Sequence, residues 1–517
     1  MRFLVTGREM KDIDMRSIHD YGIPSMVMME RAALEVVKEA EFFCKAKHGG
    51  VISETCRIWS VCGFGNNGAD GVAAARILHL RGYSPMIILP SVDGRMSEEM
   101  ELQLAIAEKL EIPIKRLDEV SSARCDVIID AVFGIGLARP VEGAYEELVR
   151  LINSQKENFG AKIISVDVPS GINSDNGDIL GCAVEADKTV TFGEMKLGHV
   201  LFPGRECSGD VIVADIGFVP AEKDTTESYA LAHTVEDLKR IPKRNAYSHK
   251  GDYGKVLIVA GAKNMAGAAC FAAKAAYRTG AGLVKVLTVE ENRYIIQEKI
   301  PEAILATFSA EWAVNESEEF KDFIRSHTDW ADVIVLGPGL GTEDASRVLV
   351  EAVLEHAYVP IVLDADAINL TARYPYLKKF FTENIILTPH LMECSRLTGK
   401  SVDMIRESLI RTARELADQY GVTCVLKDAA TVIARKDGKL FVNTSGSAAM
   451  AKGGSGDVLC GVIAGLLGLG VDECEAASLG VYVHGLAGEK AAKKYGVHSV
   501  LAGELADCVG EVINETV

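Results

Sequence analysis

Short apolar runs alternate with amphipathic stretches along most of the chain. Pro24 and Ser25 precede MVMMERAALEVVKEA, a proline and a small polar cap ahead of a helical pattern. An apolar segment, Arg57–Cys62, then runs into glycines. Similar strands are predicted at Pro85–Pro90, Asp126–Ala131, Lys162–Val168, Lys188–Phe192 and Val211–Ile216, with helical stretches between most of the early ones. Such alternation predicts parallel β-α units, hence an α/β sheet with helices on both faces. From about Val219 to Arg244 the pattern lapses into polar and charged residues with a proline near each end. It restarts with strands predicted at Lys255–Ala260, Leu283–Thr288, Asp332–Leu336, Pro360–Asp364, Asn384–Thr388 and Thr423–Lys427. A hairpin-like TVIARKDGKLFVN follows, turning at Asp437-Gly438. A first domain at 1–218, a linker and entry segment at 219–240 and a second domain at 241–517 are therefore expected. The alternative is a long surface loop inside one domain, against which the restart and the length of 517 residues both weigh.

Composition narrows the class. Hydrophobic residues at 48% and charged residues at 25% are ordinary for a soluble globular protein, so a sizeable core is affordable. The net charge of −18 argues against a nucleic-acid partner, since no basic excess exists to neutralise phosphates. An anionic small molecule is still allowed, because it needs only a local cradle of N–H groups. No signal or transit pattern is read at the start. The longest apolar run, Val458–Gly470, is too short and glycine-rich for a membrane span and is expected as a buried helix. Twelve scattered cysteines without C-x-x-C or zinc spacing predict reduced thiols and a cytoplasmic protein with no membrane association.

Chemistry gathers at strand ends. Gly63, Gly65 and Gly68 match G-x-G-x-x-G between a strand and the helix VAAARILHLRG, a loop that turns backbone N–H groups and a helix N-terminus toward a phosphate. A hydride-transfer site would want an acid at the end of the next strand, but that strand ends Leu89-Pro90-Ser91, with Asp93 only afterwards. Asn66, Asn67 and Asp70 add oxygens suited to a hard cation or to a ligand's amides and hydroxyls. Asp130-Ala-Val-Phe-Gly-Ile-Gly and Asp167-Val-Pro-Ser-Gly also leave strands, and in an open α/β sheet ligands bind beyond the carboxyl ends. Each aspartate could instead merely cap a helix or pin a turn; three polar strand ends on one edge favour a site.

G-N-N-G-x-D-G, D-x-x-F-G-x-G and D-x-P-S-G, in this order, resemble the NAD(P)H-hydrate epimerase family. That family usually has glycine where this chain has Ala69. The resemblance implies a potassium ion held by Asn67, Asp130 and Ser170. It implies a hydrated nucleotide lined by Asn66, Asn67, Gly68, Ala69 and Asp70, by Gly134, Ile135, Gly136, Leu137, Ala138, Arg139 and Pro140, and by Tyr145 and Asp167. Asp167 is the acid/base candidate, because epimerising a carbon that bears a hydroxyl beside a ring nitrogen needs reversible proton transfer or ring opening.

In the second half, Gly453, Gly454, Ser455 and Gly456 lead through Asp457 into VLCGVIAGLL. Small residues before a helix form an anion-binding nest, and a carboxylate beside it suits a base that deprotonates a hydroxyl attacking phosphorus. The plainer reading is a glycine-rich cap with a favourably placed aspartate. No Walker lysine motif occurs. Supporting strand-end loops are Gly337–Gly341, Leu363–Asn369, Thr388–Glu393 and Lys427–Thr431.

The G-S-G-D turn resembles the G-x-G-D of ribokinase-like enzymes. Together with HKGDYGK and AGAKNMAGAA it resembles the NAD(P)H-hydrate dehydratase family over nearly all of residues 228–510. The resemblance implies Asp457 as base, and Ala266, Gly339 and His390 against the hydrated cofactor. It implies an adenine nucleotide on Lys427, Asp428, Ala429, Ala430 and Thr431, and on Ser447, Ala448, Gly453, Gly454, Ser455 and Gly456. The expectation is thus a Rossmann-like α/β/α epimerase domain fused to a ribokinase-like α/β dehydratase domain, repairing hydrated NADH and NADPH. ADP or ATP would be co-substrate, with Mg2+ and K+ as cofactors, and the family implies a homo-oligomer. The fused arrangement favours ADP. The alternative is a ribokinase-like kinase of a small alcohol fused to a nucleotide-binding module.

Overall fold

A computed structural model describes residues 1–47, 55–120, 124–219 and 229–515. The chain divides into two compact units, Phe3–Tyr229 and Ala230–Val517 with Met1–Arg2. Residues 220–228 of the expected linker lie outside the described residues.

In the first unit β1 (Arg2–Val5) pairs in parallel with β8 (Met195–Lys196). The main sheet takes β2 (Arg57–Cys62), β3 (Ser84–Leu89), β4 (Ile114–Arg116), β5 (Val127–Ala131), β6 (Lys162–Val166), β7 (Lys188–Phe192) and β9 (Asp210–Ala214). It is parallel throughout, in the order β4-β3-β2-β5-β6-β7-β9. Counted along the chain within this sheet, the order is third, second, first, fourth, fifth, sixth, seventh. That is the doubly wound dinucleotide-fold order, with its reversal between β2 and β5. The strands alternate as their period of two requires: Ile58 and Cys62 pack under helices Ser25–Lys47 and Asn66–Leu80, while Trp59 and Val61 pack under helix Ala144–Phe159. An opening helix, Gly7–His19, is closed by a capping box: Glu9 N–H donates to Thr6 Oγ1 at 3.2 Å, and Thr6 N–H donates to Glu9 Oε2 at 2.7 Å.

The second unit holds β10 (Ala230–Ala232), β11 (Lys255–Val259), β12 (Leu283–Val289), β13 (Ile304–Phe308), β14 (Val333–Leu336), β15 (Ile361–Leu363), β16 (Ile385–Leu387), β17 (Thr423–Leu426), β18 (Val432–Ala434) and β19 (Leu440–Val442). The order is β13-β12-β11-β14-β15-β16-β17-β18-β19-β10, parallel as far as β17, then antiparallel at β17–β18 and β18–β19 and parallel again at β19–β10. The run expected as a buried helix is helix Ser455–Gly468. Its glycines explain its composition. A Cβ on Gly461 would lie 2.2 Å from the Ala272 carbonyl, and one on Gly465 would lie 2.5 Å from Thr279 Cβ. Two helices cross there at backbone contact. Among the described residues no helix is long and apolar enough to cross a membrane.

The structure corrects several expectations. The strands end one to two residues short of several predicted limits, because the strand-end polar residues have already turned into loops. β1, β4, β8, β10 and β13 were not predicted; most are short, and β13 is a partly exposed edge strand. Cys44 and Cys56 form a disulfide, against the expectation of reduced thiols throughout; the other ten cysteines are free. A spacing of 12 residues gives no sequence signal, but folding the Ser25–Lys47 helix back toward β2 brings the two Cα atoms to 6.0 Å.

The glycine loop after β2 separates packing from ligand access. A Cβ on Gly63 would meet the Val132 carbonyl at 2.1 Å, and one on Gly68 would meet the Gly63 carbonyl at 2.0 Å, whereas one on Gly65 would meet nothing within 4 Å. Gly63→Ala is expected to lower stability by about 1–3 kcal/mol and Gly65→Ala by less than about 0.5 kcal/mol, read as the shift in a denaturation curve. Equal losses would show that Gly65 is also a packing position.

Candidate functional site

In the first unit a cavity of about 800 Å³ opens beyond the strand ends at the reversal point. Asn66, Asn67 and Asp70 reach it from the first five residues of helix Asn66–Leu80. Gly134, Ile135, Gly136, Leu137 and Arg139 reach it from the loop after β5, Tyr145 from the next helix and Asp167 from the end of β6. The remaining expected residues fall elsewhere. Gly68 packs against Gly63, Ala69 is fully buried in the core, and Ala138 and Pro140 do not line the cavity. The methyl that distinguishes Ala69 from glycine therefore fills core space.

Asp130 and Ser170 are fully buried and bonded to each other. Asp130 accepts from Ser170 Oγ at 2.6 Å, Ser170 N–H at 3.0 Å and Ser165 Oγ at 2.7 Å. Burial raises its pKa, and these hydrogen bonds only partly oppose that. Asn67 Nδ2 is buried without a partner among the described residues.

Asp167 has a different environment. It sits at a φ of 67°, rare for a residue with a Cβ. Its carboxylate accepts from Lys196 Nζ at 2.6 Å and Thr191 Oγ1 at 3.0 Å, and its carbonyl lies 2.9 Å from His199 Nε2. Burial alone would raise the Asp167 pKa, but the charge and hydrogen bond of Lys196, with His199 and Thr191, outweigh it and hold the carboxyl below its ordinary value. Lys196 is completely buried, with further bonds to Thr191 Oγ1 and the Phe192 carbonyl. Asp70 goes the other way: burial, then the charges of Asp167, Asp14 and Glu99, push it well above the carboxylate range. One cavity thus holds two carboxyls shifted in opposite directions, the arrangement that acid/base chemistry uses.

Lys196 was missed at the sequence level. Its signal was a lone lysine in the short segment after a strand, which reads as a surface residue until the fold buries it.

In the second unit Gly454, at a φ of 95°, caps helix Ser455–Gly468 and places Asp457 in its first turn. Burial, then Asp364 and Asp366, raise Asp457 against the opposing pull of Lys427, to about 7. Lys427 Nζ lies 2.6 Å from Asp364 Oδ1, which also accepts from Thr388 Oγ1 at 2.8 Å. A Cβ on Gly456 would lie 3.5 Å from Lys427 Nζ, so the lysine stands against the turn. His390 Nδ1 accepts from Met392 and Glu393 N–H, and Glu393 returns a bond to His390 N–H at 2.9 Å. Burial raises Glu393 to about 7.

Gly339 lies against Met265 and Ala268, beside Ala266 at the start of helix Ala266–Thr279. Ala266 and Ala430 are buried, Thr431 nearly so, Asp428 and Ser447 half-buried, and Ala429, Ala448 and Gly453 exposed. Asp364 was legible only as part of a loop; its bond to Lys427 needed the strands to be brought side by side.

Residues 25–198 match the family model described as YjeF-related protein N-terminus, and residues 256–510 the model described as NAD(P)H-hydrate dehydratase. The bifunctional NAD(P)H-hydrate repair enzyme of Thermofilum pendens is 36% identical over 94% of this chain and 92% of that protein. Its counterpart from Moorella thermoacetica is 35% identical over 99% and 96%. Among solved structures, the ADP/ATP-dependent NAD(P)H-hydrate dehydratase from Bacillus subtilis, co-crystallised with ATP and Mg2+, is 33% identical with a TM-score of 0.47, covering 55% of this chain and 98% of its own.

Lys196→Met leaves the Asp167 carboxylate buried without its cation and is expected to cost about 3–5 kcal/mol. Adding Asp167→Asn should restore much of that loss in a double-mutant cycle. Because Asp167 has a depressed pKa, its stabilising share is present above the ordinary carboxylate range and is lost as pH falls through its folded value. Additive losses in the cycle would show that the pair is not coupled.

Proposed function

The chain belongs to the bifunctional NAD(P)H-hydrate repair enzymes, and we propose that its first unit epimerises hydrated NADH and NADPH while its second dehydrates one epimer at the expense of an adenine nucleotide. The observation that carries this reading is Asp457, poised near neutrality in the first turn of a helix that opens on a glycine nest.

Asp457 takes the proton of the hydroxyl on the hydrated nicotinamide ring. The oxygen attacks the terminal phosphorus of ADP or ATP, and the bond to the bridging oxygen breaks, releasing AMP or ADP. Backbone N–H groups of the Gly454–Gly456 turn face the charge that develops on the transferred group. The ring-nitrogen lone pair then expels phosphate by C–O cleavage, and loss of a proton from the neighbouring carbon restores the dihydronicotinamide. Water is a poor leaving group and phosphate a good one. ADP is the proposed donor.

Lys427, already shared with Asp364, supplies positive charge under the turn. A magnesium ion bound with the nucleotide would screen its phosphates. A small-alcohol kinase would use the same turn but would leave a stable phosphorylated product.

In the first unit Asp167, kept ionised by Lys196, is the proposed base and Asp70 the proposed acid at the epimerising centre. Asn67, Asp130 and Ser170 would hold a potassium ion through side-chain oxygen atoms. The fit rests on the oxygen-only donor set, with a fully buried Asp130 carboxyl and the Asn67 Oδ1 side lying against Gly134. The ion would supply a fixed charge that offsets Asp130.

Incubation with a mixture of hydrated epimers and ADP, followed by NADH absorbance and phosphate, tests the whole reading. Asp457→Asn is expected to abolish phosphate release while retaining nucleotide binding. The wild-type dehydration rate should rise with pH through about 7, as Asp457 loses its proton. Asp167→Ala should stall consumption once the accepted epimer is exhausted. Full turnover by Asp457→Asn, or undiminished use of both epimers by Asp167→Ala, would overturn the respective role.

A further inference from the structure

We infer that Arg95 is a specificity residue of the first unit, gripping the adenosine 2′-phosphate of hydrated NADPH; this rests on the epimerase reading of that cavity. The sheet order supplies the reason. In a doubly wound dinucleotide fold the adenosine half lies over the strands on the early side of the reversal point, and the loop after the second strand meets the ribose 2′ position. In this unit the second strand is β3, and its loop carries Asp93, Gly94 and Arg95 to the cavity wall. The nicotinamide half would then point toward β5 and β6, where Asp167 closes its strand.

Charge supports the placement. Besides Asp70, the cavity is lined by Asp14, Asp93, Glu99 and Asp167, carboxyls that disfavour phosphate unless a cation faces it. Of its cations, Lys196 is consumed by Asp167. Only Arg95 and Arg139 line it without an ion pair or hydrogen bond to any described residue. Asp93, which would serve a bare 2′-hydroxyl, is instead drawn to Arg116 at 2.9 Å. That leaves a guanidinium, the group that pairs a phosphate through two parallel N–H bonds, at the 2′ position.

The loop is held in place. Arg116 Nη1 donates to the Val92 carbonyl at 2.9 Å, and Ser97 N–H donates to the Phe64 carbonyl at 3.0 Å. A Cβ on Gly94 would come within 2.5 Å of the Phe64 ring, so glycine lets the loop lie flat on that side chain. Arg95 is thereby tied to the glycine turn after β2, the turn expected to face the pyrophosphate.

The test is epimerisation by the full-length chain with hydrated NADPH and hydrated NADH separately, for wild type, Arg95→Ala and Arg95→Lys. Arg95→Ala should raise KM for hydrated NADPH about tenfold or more at unchanged kcat, the worth of a charge-assisted contact, and leave hydrated NADH within about twofold. Arg95→Lys should recover part of the loss. Equal effects on the two substrates, or none on either, would overturn the proposal. A wild type that does not interconvert epimers would sink the epimerase reading instead. The Arg95 contact is then decided by binding of 2′,5′-ADP against 5′-ADP to wild type and Arg95→Ala: a loss confined to the 2′-phosphate ligand supports it, and unchanged binding refutes it.

Discussion

A carboxylate at the carboxyl end of a buried parallel strand has lost its water and must be given something in return. This constraint organises both units. Asp130 is met by two serines and a backbone N–H, Asp167 by Lys196, and Asp364 by Lys427 and Thr388. Where Lys196 brings a full positive charge to Asp167, the carboxyl is held below its ordinary value despite burial. Where the partner is only a hydroxyl or nothing, the proton becomes hard to remove.

The consequence is a pair of carboxyls with opposite behaviour in one cavity. Asp70 lies on the helix after β2 and Asp167 at the end of β6, yet they interact: after burial, the Asp167 charge is a cause of the upward shift of Asp70. In the second unit the balance is finer. Burial, then Asp364 and Asp366, push Asp457 up and Lys427 pulls it down, to about 7, where a base is both available and strong enough to act.

Close backbone approach is the other requirement. Gly63 and Gly68 bring the glycine turn against the strand ends, and Gly461 and Gly465 let the helix behind the Asp457 turn sit directly on its neighbour. The turn that would face phosphate is thus backed by packed helices. A left-handed Asp167 is tolerable for a related reason, since its carboxylate and carbonyl are both held by partners from the β7–β8 region.

Much of this was written in the primary structure. Short continuous apolar runs announced most of the longer strands, and glycine and aspartate at their ends announced the loops, because local sterics and burial act over a few residues. The alternation of elements was enough to expect parallel sheets. What neighbouring residues could not encode was which distant groups would meet. Lys196 reads as an ordinary lysine until folding strips its water and sets it on Asp167. Ala69 reads as part of a ligand loop until the helix turns it inward, and Cys44 and Cys56 read as unrelated thiols. The chain's local pattern determined the elements and the residue types at their ends. The tertiary structure decided the strand order, the partners and hence the protonation states, since electrostatic environment is a property of three-dimensional neighbours.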